Sequence, residues 1–479
     1  MATGTQRRMN PRAKSIAVVS VALVLLARGS AALAAISAQT SNLTNGFGTS
    51  ASFGLVGNGC ISDSGWGGAC LDGNALIGTR GVAVSPDGKN IYGASTTSDA
   101  LTALSRNATT GAVAQLAGTG GCHSLSGHGG TCVTGKALDE ANVPVVSADG
   151  KHVYATAKLS NSITAFSRDA ATGVLTQLAG TNACISLSGT SGQCVVGRAM
   201  SGMSSLAISS DGKHVYAAAD FSDAIVAFSR DATTGKLTQL SGTAGCISLT
   251  GTSATCIVGK AIDGPYGVTV SPDGATVYLS AHHSDAVAVF SRNSTTGALT
   301  QLSGTAGCVS ETGTSGSCVD GFGLDGPTFL AVSPDNANLY VSAYFSDAVL
   351  AFTRNTSTGA VTQLTGTGGC VSEFGTAGAC ADGVALDGAH NVAVSPDGEN
   401  LYAASGEGDA VTSFARDATS GRITQLTGRG CISEAGSGGA CTDYIELDGV
   451  HGLAVSPDNK DVYGGTFWSE GIVFLSRTR

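Results

Sequence analysis

Apolar and polar residues alternate along this chain in short runs, and the runs come back with a fixed period. Around residue 270 four of them follow one another, at 267–271, 275–280, 286–292 and 297–302. Each is rich in β-branched or aromatic residues and is bounded by turn signals, which predicts four short strands. Ser271-Pro272-Asp273-Gly274 makes the first turn, Pro presetting φ and Gly admitting the left-handed position. Ser284-Asp285-Ala286 marks the second turn, and Asn293 to Gly297 the third. Beyond residue 38 no helical periodicity of any length is present.

The serine of the first turn recurs as Ser85, Ser147, Ser209, Ser271, Ser333, Ser395 and Ser456, in five steps of 62 residues and a last of 61. Four antiparallel strands repeated seven times predict an all-β fold, a seven-bladed β-propeller. A linear solenoid is the alternative, and the chain ends decide between them. The last repeat stops at Arg477, after its third strand, and its missing fourth strand lies at the other end. There Ser52 to Cys60 matches Ile423 to Cys431. An N-terminal strand that completes the last blade closes a ring and removes exposed edges.

All 14 cysteines fall into the same period, as Cys60/Cys70, Cys122/Cys132, Cys184/Cys194, Cys246/Cys256, Cys308/Cys318, Cys370/Cys380 and Cys431/Cys441. The zinc alternative needs closer cysteine spacing and further ligands, so the pairs are expected to be disulfides, one per blade. The N-terminus agrees on compartment. Arg7, Arg8, Arg12 and Lys14 precede an apolar run from Ser15 to Ala27, and Ala32-Leu33-Ala34 offers a small-residue cleavage signal. Residues 1–34 therefore read as a secretory signal peptide, 35–46 as a short linker and 47–479 as the propeller. The apolar run is shorter than the ~20 residues a span requires. A secreted protein with no membrane span is expected.

The net charge of −10, with few Lys and Arg, argues against nucleic acid or an anionic membrane as partner. A monomer is expected, with a small molecule or an extracellular protein or glycan as partner. The repeat also separates scaffold from site. A residue present in every blade holds blades together, whereas a single ligand on the ring axis must meet residues that differ between blades. The tyrosine of the second strand (Tyr278 and its six equivalents) and the arginine ending the third (Arg292 and its equivalents) are constant. They read as inter-blade packing and as bonds to Asp side chains or turn carbonyls.

Two columns vary in polar chemistry. One, five residues before each tetrad serine, holds Arg80, Asn142, Ser204, Tyr266, Thr328, His390 and His451. The other, four residues after each constant tyrosine, holds Thr96, Lys158, Asp220, His282, Tyr344, Gly406 and Phe467, followed by His283, Glu407 and Trp468 at the next position. Strand alternation puts both columns on one face, at the channel mouth. Loop drift without function is the competing reading. No cofactor is called for, although His282, His390 and His451 leave a divalent metal open. Asp320/Asp325, Asp382/Asp387 and Asp443/Asp448 read as caps of tight Asp-Gly turns, with calcium as the lesser alternative.

The strings Val-Ser-Pro-Asp-Gly-x-x-Val-Tyr, Asp-Ala-Val-x-x-Phe-x-Arg and Thr-Gly-x-Leu-Thr-Gln-Leu resemble the lactonase-type seven-bladed propellers, which include 6-phosphogluconolactonase-like and carboxymuconate-lactonising proteins. The resemblance implies basic residues just before the innermost strand, and Arg80, His390 and His451 match by position and type. It assigns them a catalytic part: binding or polarising the carboxylate of a lactone or open acid, with a histidine as general base. Asn142, Lys158, Asp220, Tyr266, His282, Tyr344 and Glu407 are the expected ligand-binding set around them. A sugar phosphate would demand more cations than Arg80 and Lys158. A secreted lactone hydrolase is one reading of the chain. A non-catalytic extracytoplasmic or cell-surface binding module is the other.

Overall fold

The computed structural model describes residues 54–478 apart from 253 and 429. The expected signal peptide and linker lie outside the described residues. Strands and short 3-10 turns make up the described chain, arranged as seven antiparallel sheets, one per repeat. No helix among the described residues is long and apolar enough to cross a membrane.

One blade stands for all. The innermost strand, Pro265–Val270, pairs with Thr276–Ala281, which pairs with Ala286–Arg292. First strands of neighbouring blades contact one another and line the axis. The outer strand differs from the single run expected at 297–302. It is split into Leu299–Gln301 and Cys308–Ser310, both paired to the third strand, with a 3-10 turn at Gly304–Gly307 between them. The cysteine hairpin then folds back so that Val319–Asp320 runs parallel to Cys308–Ser310 as an edge.

The bond from Cys308 to Cys318 joins those two segments. The other six expected disulfides form in the same place: Cys60 to Cys70, Cys122 to Cys132, Cys184 to Cys194, Cys246 to Cys256, Cys370 to Cys380 and Cys431 to Cys441. No free thiol remains. Each bridge thus pins the outer edge of a blade, at the end where its third strand begins. The sulfurs are buried against small residues. Cys122 and Cys132 pack on Ala75 and Ala100, Cys184 and Cys194 on Ala137 and Ala183, and Cys431 and Cys441 on Ala385 and Ala410. Cys370 and Cys380 join the larger apolar cluster between the fourth and fifth blades. Seven bridges fit an oxidising, extracytoplasmic setting.

The last sheet closes the ring as the sequence predicts. Gly54–Ser62 pairs antiparallel with Gly471–Thr478, the third strand of the final blade.

The core lies between blades, not within them. Tyr278, Val287 and Val289 of one blade pack against Leu339, Val341 and Phe352 of the next, all buried. The constant tyrosine and arginine lock this interface. Tyr278 Oη donates to the Gly359 carbonyl of the next blade at 2.7 Å. It accepts from Arg354 Nε, also at 2.7 Å. Arg354 Nη1 donates to the Asn336 carbonyl in its own turn, and Nη2 reaches back to Thr276 Oγ1 and to the Asp273 carboxylate at 2.9 Å. The same arginine–aspartate pair recurs at all seven interfaces. Partial burial works against ionisation of Asp273, yet bonds from Ser271, the Ala275 amide and Asn336, together with the Arg354 charge, hold its pKa down at about 2. Where the final blade meets the first, Arg106 faces two carboxylates, Asp458 and Asp461, instead of one.

Candidate functional site

Every innermost strand carries a β-bulge at its start. In the first blade Thr79 pairs with Ser95 and Gly81 with Ala94, leaving Arg80 as the extra residue. His390 and His451 are the extra residues in the sixth and seventh blades, and Ser204 in the third. Tyr266 and Thr328 fall in the equivalent register shifts. A bulge breaks the pleat and re-aims the side chain. The first variable column is therefore a ring of residues turned out of the sheets at one end of the channel.

Half of this ring serves the scaffold. Asn142 Nδ2 donates to the Ser204 carbonyl at 3.2 Å, and Ser204 Oγ donates to the Tyr266 carbonyl at 2.9 Å. Thr328 bonds Ser342 and the Ala389 carbonyl. The other half forms a directed chain. Arg80 Nη1 approaches Tyr266 Oη at 3.4 Å, Tyr266 Oη lies 3.0 Å from His390 Nε2, and His390 Nδ1 lies 3.2 Å from the His451 carbonyl. A carbonyl only accepts, so Nδ1 of His390 carries the proton. Its Nε2 then accepts from the tyrosine, whose oxygen is left to accept from Arg80. The His390 and His451 rings meet edge to face at 4.3 Å. Burial, then the Arg80 charge, pushes His451 down to about 3. Burial, His451 and Arg80 push His390 well below the usual imidazole range. Both rings are neutral at neutral pH.

Arg80, Tyr266, His282, Thr328, Tyr344, His390 and His451 line one cavity of about 200 Å³. Arg80 forms no ion pair among the described residues. Its guanidinium lies over the Phe467 ring at 5.1 Å, and its buried Nε has no hydrogen-bond partner. His282 stands half-buried beside Tyr266, its pKa lowered by burial and by His283. Tyr344 Oη donates to Glu407 Oε1 at 2.6 Å, so Glu407 reaches the cavity only through that tyrosine. Lys158 and Asp220 are elsewhere and occupied by each other. Their ion pair is 2.9 Å long, and the Lys158 ammonium sits 4.9 Å from the centre of the Phe221 ring. Lys158 and Asn142 line a second, larger cavity that shares Arg80 with the first.

The cysteines take no part in either cavity. Cys132, Cys194, Cys380 and Cys441 are buried in the hairpins at the outer blade edges, and neither they nor any other cysteine is among the lining residues. Two strands separate each bridge from the innermost strand that carries the site. The seven bridges are scaffold, and their sulfurs offer the mouth no nucleophile and no ligand.

Both nitrogens of His390 are taken, which leaves it no lone pair for a metal in this arrangement. The Asp-Gly pairs behave as expected of caps only in part. Asp320, Asp382 and Asp443 sit in the edge strands of the hairpins. The caps come from aspartates that sequence reading treated as simple turn markers. Asp285 Oδ1 accepts from the Gly326 amide of the next blade at 3.0 Å, and Asp347 from Gly388 at 2.8 Å. Of the apolar walls, the sequence names Phe467 in its second variable column but not Phe221, Leu159 or Phe329. The same symmetry-breaking filter finds Phe221 and Leu159 as well, once it is applied to apolar as well as polar residues at the next position.

Comparison with known proteins bears on the family and the fold. Residues 144–319 and 267–373 match a protein family described as lactonase, 7-bladed beta-propeller. No curated protein matches the chain. Among solved structures, hydrazine synthase of Kuenenia stuttgartiensis is 16% identical, with a TM-score of 0.51 over 84% of this chain and 96% of its own. A putative 6-phosphogluconolactonase of Bacteroides uniformis is 18% identical, with a TM-score of 0.49 over 74% of this chain and 84% of its own. The periplasmic gluconolactonase of Pseudomonas aeruginosa is 16% identical, with a TM-score of 0.48 over 72% and 83%. At these identities the likeness to hydrazine synthase speaks for the fold alone.

Proposed function

The protein is a seven-bladed propeller of the lactonase type, and on that premise we propose that its small mouth cavity takes an unphosphorylated lactone and opens it to the hydroxy acid. One observation carries the reading. Among the described residues Arg80 is a cation without a carboxylate partner, and it faces two neutral imidazoles and a tyrosine hydroxyl in a cavity too small for anything much larger than one ring.

The chemistry follows from the charges. A lactone enters neutral, and its carbonyl oxygen becomes an oxyanion when water attacks. Arg80, half-buried against Phe467, is placed to stabilise that charge and then the carboxylate of the product. The proton released by the attacking water has a route through Tyr266 Oη to His390 Nε2, and from there to the departing alkoxide. An imidazole with so low a pKa is a poor base at rest. Burial is the largest cause of that lowering; the oxyanion offsets the smaller part that comes from the Arg80 charge, so proton affinity rises as the proton must be taken. The second cation of the mouth, Lys158, is neutralised by Asp220, which disfavours a phosphorylated substrate.

A pH-stat assay over a panel of sugar lactones and unsaturated lactones tests this. The wild type is expected to hydrolyse at least one of them, with Arg80→Ala lowering kcat/KM by roughly 10²–10³, the cost of one oxyanion donor. Full activity in Arg80→Ala, or a wild type that binds the hydroxy acid yet opens no lactone, overturns the assignment.

A further inference from the structure

The larger cavity beside Arg80 has no part in the chemistry above, and its lining is specific. It measures about 630 Å³, three times the small one, and is walled by Phe221, Phe467 and Leu159. Asp99, Asp139 and Glu140 add three carboxylates. Asp99 is committed to capping the Glu140 amide, while the Asp139 and Glu140 side chains make no ion pair among the described residues. At the floor lies Asn142, only 6% exposed. Its Nδ2 is bonded to the Ser204 carbonyl, and its amide oxygen has no hydrogen-bond partner among the described residues. An amide oxygen without a partner, on a largely buried residue that lines a cavity, is free to accept from a donor there.

We propose that this cavity is a subsite for a neutral sugar, and that the substrate is a lactone carried at the end of a glycoside. The inference rests on the lactonase reading of the small cavity and names its substrate class. Arg80 is a wall of both cavities, so a ligand with its lactone against Arg80 can extend into the larger one; the other space at Arg80, about 340 Å³ along the channel, is walled mainly by Val, Ala, Leu and Pro and offers few acceptors to hydroxyl groups. The volume lies within the roughly 300–1,000 Å³ of small-ligand sites. Phe221 is 62% exposed, and one side of its ring already takes the Lys158 ammonium, which leaves the other side to the C–H face of a sugar. Carboxylates and an amide oxygen accept from hydroxyl groups. The Lys158–Asp220 pair adds no net charge, and the three carboxylates outnumber Arg80, so a second anionic group is repelled and a neutral polyol is not.

Two measurements test the subsite apart from the hydrolysis. The first compares kcat/KM for gluconolactone with that for the lactone of a glucosyl-gluconic acid. The second follows binding of cellobiose, which carries no lactone, by saturation-transfer NMR. The wild type is expected to prefer the glycosylated lactone by about tenfold or more, and to bind cellobiose. Phe221→Ala, at an exposed site that the fold does not need, is expected to shrink the preference roughly three- to tenfold, the size of one aromatic contact. Asp139→Asn should weaken cellobiose binding in parallel. Equal kcat/KM for the two lactones, or a preference untouched by Phe221→Ala, overturns the subsite. Cellobiose binding that depends on Phe221, in a protein that opens no lactone, upholds the subsite and overturns the hydrolase reading alone.

Discussion

Replacing Tyr278 by Phe removes one oxygen atom from an interface that is otherwise unchanged, and the structure sets the cost. The hydroxyl is fully buried and makes two bonds, to the Gly359 carbonyl and from Arg354 Nε, both 2.7 Å long. Without it, the Gly359 carbonyl oxygen and the Arg354 Nε–H each lose a bond, and neither atom has another within the interface. A buried hydrogen bond is worth about 0.5–1.5 kcal/mol net, and a partner left unsatisfied adds about 1–3 kcal/mol. Ring and methylene packing stay, so no cavity term enters. We expect Tyr278→Phe to cost about 2 kcal/mol. Arg354→Met strips the Tyr278, Asn336, Thr276 and Asp273 contacts together, and should cost more, about 3 kcal/mol. The figure stays at the low end for a broken buried pair because the Asp273 side chain is 30% exposed and water takes over part of its solvation. Urea midpoints at a constant slope measure both. The repeat supplies its own replicates: Tyr154→Phe and Tyr216→Phe remove hydroxyls with the same two kinds of partner and should cost the same. A cost below about 0.5 kcal/mol, or values that scatter between blades, refutes the claim that this bond set holds blade to blade.

Two further outcomes are expected. Each disulfide closes a loop with a separation of 10 residues, for which loop-closure entropy gives about 3 kcal/mol per bridge; Cys246→Ser with Cys256→Ser should lower stability by that amount in urea titrations while far-UV circular dichroism keeps its β signature, because no bridge links one blade to another. The pH profile of stability should carry two opposite contributions. His451 has its pKa lowered on folding, so the unfolded chain takes up a proton first and stability falls as pH drops from 6.5 towards about 3; Glu446, raised to about 7 by burial and then by Glu434, costs stability as pH climbs from 4.5 to about 7. His451→Gln should flatten the acid limb and Glu446→Gln should lift the alkaline one, and a profile unchanged by either variant contradicts the burial argument.

What the sequence reveals here is what repeats. The strands, the seven bridges, the closing strand and the tyrosine–arginine columns all follow from periodicity, because a contact made seven times leaves seven copies of its signature. What it hides are contacts made once and across blades. Tyr266 and His390 are 124 residues apart, Arg80 and Tyr266 186, and no local pattern relates them. The bulge that turns Arg80 out of its strand is a register shift, invisible to an alternation pattern read along a single strand. Asp285 looked like a turn residue because its role depends on the amide of Gly326 in the next blade. Glu446 was missed for the opposite reason. It replaces the small, left-handed residue held elsewhere by Ala385 and its equivalents, a difference that matters only once that position is seen to be buried near the Cys60–Cys70 bridge.

The strand Gly54–Ser62 is among the first parts of the fold to be synthesised, and its partner, Gly471–Thr478, is the last. Each cysteine hairpin is complete within a separation of 10 residues, so the blades can be oxidised one after another while the rest of the chain is still arriving. The final seam has to wait for the final strand. A chain cut short before Gly471 leaves Gly54–Ser62 without its antiparallel partner, paired only to the two-residue edge Leu71–Asp72, and the ring with two raw edges. The seam therefore acts as a test of ring closure: only a chain that has reached Gly471–Thr478 can cover the edge of Gly54–Ser62, and one that has not stays marked for proteolysis or aggregation by that open edge.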